Sequence, residues 1–284
     1  MPSFVNKRGR LQPAWRYRAE GMMWRIVVTP RGRLAGEVRD AKKLTVHFFC
    51  VDGRSGTVLW QHATFGEQWW MGIEALCGET LLLHKYTTPS MPEHRGIIAV
   101  EIESGKELWR DEDMRFECCL HESIVASRST VLGKQIEERD ARTGSLVRTF
   151  SEAEAEDVCR ASSFERTTIE MPAVMADPAA DPSANAAVLR SQCDTATLVG
   201  PVGYLERDGL LIFAYHQPST SSEGRVQTTL TILDRGTNAV LFSERVQQSA
   251  STLPAEIFFV WQNMLYYLEE QTTLIAINLA KQVQ

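Results

Sequence analysis

Apolar and polar residues alternate in short runs along this chain, and the same turn follows several of them. The runs Val46 to Val51, Ile97 to Ile102, Gln135 to Arg139 and Thr228 to Leu233 all read as strands. A period of two puts one side of a strand in a core and the other toward solvent. The turns are Asp52-Gly-Arg-Ser-Gly56, Glu101-Ile-Glu-Ser-Gly105, Asp140-Ala-Arg-Thr-Gly144 and Asp234-Arg-Gly-Thr-Asn238. An acidic residue can accept hydrogen bonds from the turn amides. Gly or Asn tolerates the left-handed backbone that closes such a hairpin. A short apolar strand follows each turn, ending on Trp60, Trp109, Arg148 and Phe242 in turn.

The turns end at residues 56, 105, 144 and 238, which are 49, 39 and 94 apart. The last spacing is about twice the others, so a degenerate unit is expected between Thr149 and Gly200. Units of this length with four strands each predict an all-β β-propeller. The count favours six four-stranded blades, with five or seven as alternatives. The last unit, with strands 257–261, 264–268 and 273–279, ends before its outer strand. A spare strand, Ala14 to Arg18, precedes the first unit. Its pairing beside 273–279 would close the ring and remove two free edges. The chain then reads as one domain, 1–284, with a flexible basic N-terminus at 1–13 and a low-complexity loop at 176–187.

The D-x-x-[ST]-G-x-x-x-W pattern of 52–60 and 101–109 resembles the blade repeat of pyrroloquinoline-quinone-type propellers. Residues 140–148 share it in part and 234–242 loosely. That group includes quinoprotein dehydrogenases and scaffold proteins, and uncharacterised bacterial families carry similar repeats. Some quinoproteins hold a disulfide between adjacent cysteines beside the cofactor, as Cys118-Cys119 could imply. The remainder of that pattern is missing, so two small buried thiols are the simpler account. No cofactor is expected.

Charge and cysteine usage narrow the classes. The net charge is −6, against the basic surface that nucleic acid requires. Residues 1–43 alone carry eleven Lys/Arg and three Asp/Glu, which reads as a solvated basic end or a dock for an acidic partner. There is no h-region for a signal peptide and no apolar run long enough for a membrane span. A cytoplasmic, monomeric protein with six reduced cysteines is expected. No Cys/His grouping has zinc spacing, so no metal is expected. No nucleophile elbow, phosphate loop or dinucleotide fingerprint is present, and no catalytic residue is assigned.

Two aligned segments carry the binding expectation. Leu81 to Ser90 matches Leu210 to Ser219 without a gap, and each leads into a loop, 86–95 and 215–225. Loops on a rigid scaffold are the usual place for recognition. The candidates are Tyr86, Pro89, His94, Tyr215, His216 and Pro218. Trp69 and Trp70, placed in a first strand lining the channel, join them. For each, the plain alternative is packing or turn geometry. The expected function is a protein-interaction scaffold with an unknown partner. The alternative is a small polar ligand site, or an enzyme site, at the channel mouth.

Overall fold

A computed structural model of the chain describes residues 10–88, 91–131, 133–162, 169–253 and 257–282. The expected N-terminal tail lies mostly outside these residues, as does Pro89. Contacts divide the chain into two compact units, Ala19–Thr168 and Met1–Arg18 with Ile169–Gln284. Among the described residues no helix is long and apolar enough to cross a membrane.

The chain opens with β1 (Pro13–Arg18). The unit 19–168 then forms three four-stranded antiparallel sheets. The first is β2 (Met22–Val28), β3 (Arg33–Asp40), β4 (Thr45–Asp52) and β5 (Val58–Ala63). The second is β6 (Met71–Cys77), β7 (Thr80–Thr88), β8 (Met91–Glu101) and β9 (Glu107–Asp111). The third is β10 (Arg115–Leu120), β11 (Ser123–Thr130), β12 (Gly133–Asp140) and β13 (Leu146–Phe150), followed by α1 (Glu152–Ser162). Within each sheet the strands pair in sequence order.

The other unit begins with the short strands β14 (Ile169–Glu170) and β15 (Ala173–Met175), then α2 (Ala184–Gln192). Its remaining strands are β16 (Val202–Arg207), β17 (Leu210–Pro218), β18 (Val226–Asp234), β19 (Val240–Ala250), β20 (Phe258–Trp261), β21 (Met264–Glu269) and β22 (Thr273–Asn278). They form two sheets, β15-β16-β17-β18-β19 and β1-β22-β21-β20-β14. The pairing expected for the spare N-terminal strand is present: Trp15 faces Ala276 and Tyr17 faces Leu274 across an antiparallel ladder. Trp15 and Tyr17 are both buried, so β1 covers what would otherwise be the bare edge of β22.

The repeat turn works as its chemistry requires. Asp52 Oδ1 accepts from the backbone N–H of Arg54 and Ser55 and from the Ser55 hydroxyl. Gly56 closes the turn at φ +72°, and its N–H donates to Asp52 O. Asp140 and Asp234 accept from their turns in the same way, and Asn238 adopts φ +56° where the other copies have glycine.

The tryptophan of the repeat also has a definite role. Trp60 Nε1 donates to Ile102 O at 2.7 Å, and Trp109 Nε1 donates to Ala141 O at 2.9 Å. A Cβ on Gly105 would lie 2.7 Å from the Trp60 ring, and one on Gly144 would lie 2.8 Å from Trp109. Each outer-strand tryptophan therefore rests on the bare glycine of the next sheet's turn. Both faces of the middle sheet are buried. Leu81 and Leu83 pack with Phe48 and Met71 on one side, and Leu82 packs with Ile124 and Ala126 on the other. This explains the unbroken Leu81-Leu82-Leu83 run, each residue contributing about 2 kcal/mol of burial.

Three expectations are corrected. The stretch expected to hold a further four-stranded unit contains α1, α2 and two short strands that extend neighbouring sheets, so the described strands form five sheets. Ser151 and Glu154 make a capping box that starts α1. The segment read as a loop to residue 187 enters α2 at Ala184, where Ser183 Oγ accepts from Ala186 N–H. Four of the six cysteines are bridged, Cys77–Cys119 and Cys118–Cys159. Adjacent residues of a strand point to opposite faces, which sends Cys119 to β6 and Cys118 to α1. Cys50 and Cys193 remain as thiols.

Candidate functional site

The second sheet carries a cluster of rings and one carboxylate. Tyr86 on β7 and His94 on β8 are direct cross-strand partners. His84, two residues before Tyr86, lies on the same face. Glu74 reaches it from β6, where a bulge between Ile73 and Ala75 re-aims the strand. Four ring contacts follow. His84 and His94 stack, with centroids 3.5 Å apart and planes 11° from parallel. Tyr86 meets His84 edge-on at 4.9 Å and His94 at 5.3 Å. Trp70 meets Tyr86 edge-on at 6.2 Å.

Polar groups converge on the same place. His94 Nδ1 lies 2.8 Å from Glu74 Oε2. A ligand atom of each of Glu74, His84 and His94 falls within 4.8 Å of the others. His84 is 4% exposed, and its Nδ1 is buried with no hydrogen-bond partner. Burial first, and then the neighbouring His94, pushes the His84 pKa down to about 3, so the ring is neutral. Gly72 faces His84 across the ladder. A Cβ there would lie 3.0 Å from His84 Nε2 and 2.8 Å from Glu37 Oε2, so the space above Gly72 is taken by these two side chains.

The floor of the cluster is held by the preceding sheet. β6 is an edge strand, and its backbone groups would otherwise lie bare. Arg25 donates to the carbonyls of Ile73 and Glu74. Arg39 donates to those of Trp69 and Met71, and its guanidinium sits 4.9 Å from the Trp69 ring centre. Glu37, buried, accepts from Ile73 N–H at 2.9 Å and from Arg39. These groups position Glu74 and tie up Arg25, leaving Trp24 beside it 64% exposed.

The expected site residues thus divide. Tyr86, His94 and Trp70 meet in one cluster, and Trp69 packs beside it under Arg39. Trp69 and Trp70 precede β6 and do not belong to it. Tyr86, His94, Tyr215, His216 and Pro218 lie in strands, whereas a loop was expected, because β7–β8 and β17–β18 are long hairpins. In the other unit His216 is buried and its Nδ1 pairs with Thr228 Oγ1 at 2.9 Å. Tyr215 is half-buried against the core, and burial raises its pKa. Pro218 is exposed at the end of β17. His216 and Tyr215 therefore read as packing. Glu74, His84, Glu37 and Arg39 were missed. The signal was the hairpin register, which sets Tyr86 opposite His94 and puts His84 on the same face.

Two surface grooves lie elsewhere. One, of about 300 Å³, is lined by Leu11, Arg16, Phe242 and Glu244. The other, of about 610 Å³, is lined by His121, Glu138, Val147 and Val158. Neither includes the ring cluster.

A family described as a domain of unknown function (DUF4905) matches residues 28–109, which span most of the first two sheets and the cluster. No curated protein matches. Among solved structures, a eukaryotic initiation factor is 10% identical with a TM-score of 0.34, covering 88% of this chain and 53% of that one. This chain therefore spans about half the length of the initiation-factor chain. The Dos1 propeller is 9% identical with a TM-score of 0.29, covering 90% and 68%. BBS1N, solved in complex with ARL6DN, is 9% identical with a TM-score of 0.34, covering 96% and 97%.

Proposed function

We propose that this chain is a protein-interaction module of the β-propeller class, its five sheets serving as blades, and that it docks a partner on Trp70, Tyr86 and His94. The observation that carries the reading is the ring cluster itself. Three aromatic rings touch in series, Tyr86 and His94 on the β7–β8 hairpin and Trp70 just ahead of β6, and Trp70 keeps 38% of its surface exposed. Rings held by long strands present apolar area with little conformational freedom to lose, which is the character of residues that dominate interfaces. The buried Glu37–Arg39 pair and Arg25 anchor the strand beneath them. The two disulfides favour an oxidising compartment over the cytoplasm first expected.

The test is partner capture with Trp70→Ala and Tyr86→Ala, alone and together, beside Tyr215→Ala. The expected result is loss of capture in the first two variants and none in the third, with unfolding temperatures unchanged for Trp70→Ala. Undiminished capture by the double variant would overturn the assignment.

A further inference from the structure

The Glu74, His84 and His94 side chains have a chemistry that docking a protein does not use. Two imidazoles and one carboxylate, drawn from three adjacent strands, converge within 4.8 Å. We propose that these three residues bind a divalent transition-metal ion of the zinc class.

Three observations support the site. First, the donor set suits the ion. Borderline metals take imidazole nitrogen together with carboxylate oxygen, and three protein ligands with one open position form a familiar zinc arrangement. Second, the spacing fits. Metal–nitrogen bonds of about 2.0–2.1 Å in tetrahedral geometry set two ligand nitrogens roughly 3.3 Å apart. The stacked His84 and His94 rings have centroids 3.5 Å apart, and because imidazole lone pairs lie in the ring planes, binding would turn the rings out of the stack until one nitrogen of each points at the ion. The His94 Nδ1–Glu74 Oε2 contact of 2.8 Å marks a carboxylate already turned toward the imidazole. Third, His84 is more than nine-tenths buried and its Nδ1 finds no partner. A buried polar nitrogen without a partner is costly and uncommon, and an ion bound there would supply one.

The neighbourhood favours a stable site. Tyr86 closes one side of both rings. Arg25 fixes the backbone of Glu74 by donating to its carbonyl. His94 is only partly buried, so an ion can enter from its side. Metal ligation requires neutral imidazole and ionised carboxylate, so affinity falls with acid. The proposal concerns the same cluster as the docking surface but does not depend on any partner.

The test uses the full chain, stripped with a chelator and titrated calorimetrically with Zn²⁺, then with Co²⁺ read by visible absorption. The expected result is one ion per chain, with Co²⁺ giving the spectrum of a low-coordinate nitrogen–oxygen site. His94→Ala and Glu74→Gln, chosen because both side chains are partly exposed, should each weaken binding by more than about 100-fold, beyond the loss typical of an outer-shell group. His121→Gln, in an exposed turn of the third sheet, should leave it unchanged. Absence of one-to-one binding in the folded chain, or binding that survives both His94→Ala and Glu74→Gln, would overturn the proposal. Folding of each variant is checked by circular dichroism, so a lost site is distinguished from a lost fold.

Discussion

The glycine that ends three of the repeat turns has two separable duties, and substitution can measure them apart. Gly105 adopts φ +67°, and a Cβ there would lie 2.7–3.0 Å from three atoms of the Trp60 ring. Gly209 adopts φ +74°, but a Cβ there meets nothing within 4 Å. Alanine at either position carries the left-handed backbone penalty, about 1 kcal/mol. Only Gly105→Ala also forces the indole away. Trp60 is tied to the same turn by its 2.7 Å hydrogen bond to Ile102 O, so it cannot retreat freely, and overpacking of this kind costs about 1–3 kcal/mol. The expected losses are about 2–4 kcal/mol for Gly105→Ala and about 1 kcal/mol for Gly209→Ala. Gly144→Ala, against Trp109, should resemble Gly105→Ala. In a double-mutant cycle, Trp60→Ala should cancel most of the added penalty, with a coupling of about 1–3 kcal/mol. Urea unfolding followed by circular dichroism measures all of these without relying on tryptophan emission. Losses for Gly105→Ala and Gly209→Ala that agree within about 0.5 kcal/mol would refute the reasoning, as would a cycle without coupling.

Four further outcomes are expected. In denaturant without reductant, two thiols per chain, Cys50 and Cys193, should react with a thiol reagent, rising to six after reduction; six at the outset would show that the bridges are absent. The bridges close loops of 41 and 42 residues, so reduction should lower stability by up to about 4 kcal/mol per bridge on the chain-entropy account, read as a shift in the urea midpoint. Trp15→Ala, which removes a buried ring packed 6.0 Å from Tyr266, should cost about 3 kcal/mol, and a cost below about 1 kcal/mol would show that β1 adds little to its sheet. Burial lowers the pKa of His216 below the ordinary value, so its neutral form stabilises the fold fully above a pH of about 6.5, and stability falls as the pH drops below that toward the folded-state value. His216→Gln should flatten that part of a stability–pH profile, and an unchanged slope would contradict the assignment.

The repeat was legible because its chemistry is local. Asp52, Ser55 and Gly56 make their bonds within one turn, and spacing alone then located the sheets. The strand β1 was legible from a missing partner at the other end of the chain. The helices were less so, although Ser151 and Glu154 spell a capping box ahead of a Glu/Ala-rich run. Reading that stretch by the repeat period hid the change of period. The candidate site was half legible. Tyr86, His94 and Trp70 were found as aromatic and histidine positions near a turn. Glu74 and His84 were not, because their proximity depends on a bulge in β6 and on the register of two hairpins. The disulfides were hidden for a related reason. Cys118 and Cys119 are neighbours in sequence, yet the alternation of the strand sends them to different partners.

The central claim is that the ring cluster of the second sheet is where this protein meets its partner. A photoreactive phenylalanine analogue placed at Trp70, on the otherwise unaltered chain, tests it most directly. Val174, 70% exposed in the other unit, is the control position. The account predicts a discrete covalent adduct from position 70 and none from position 174. Adducts from position 174 alone, or from neither position while the partner still co-purifies, would contradict it.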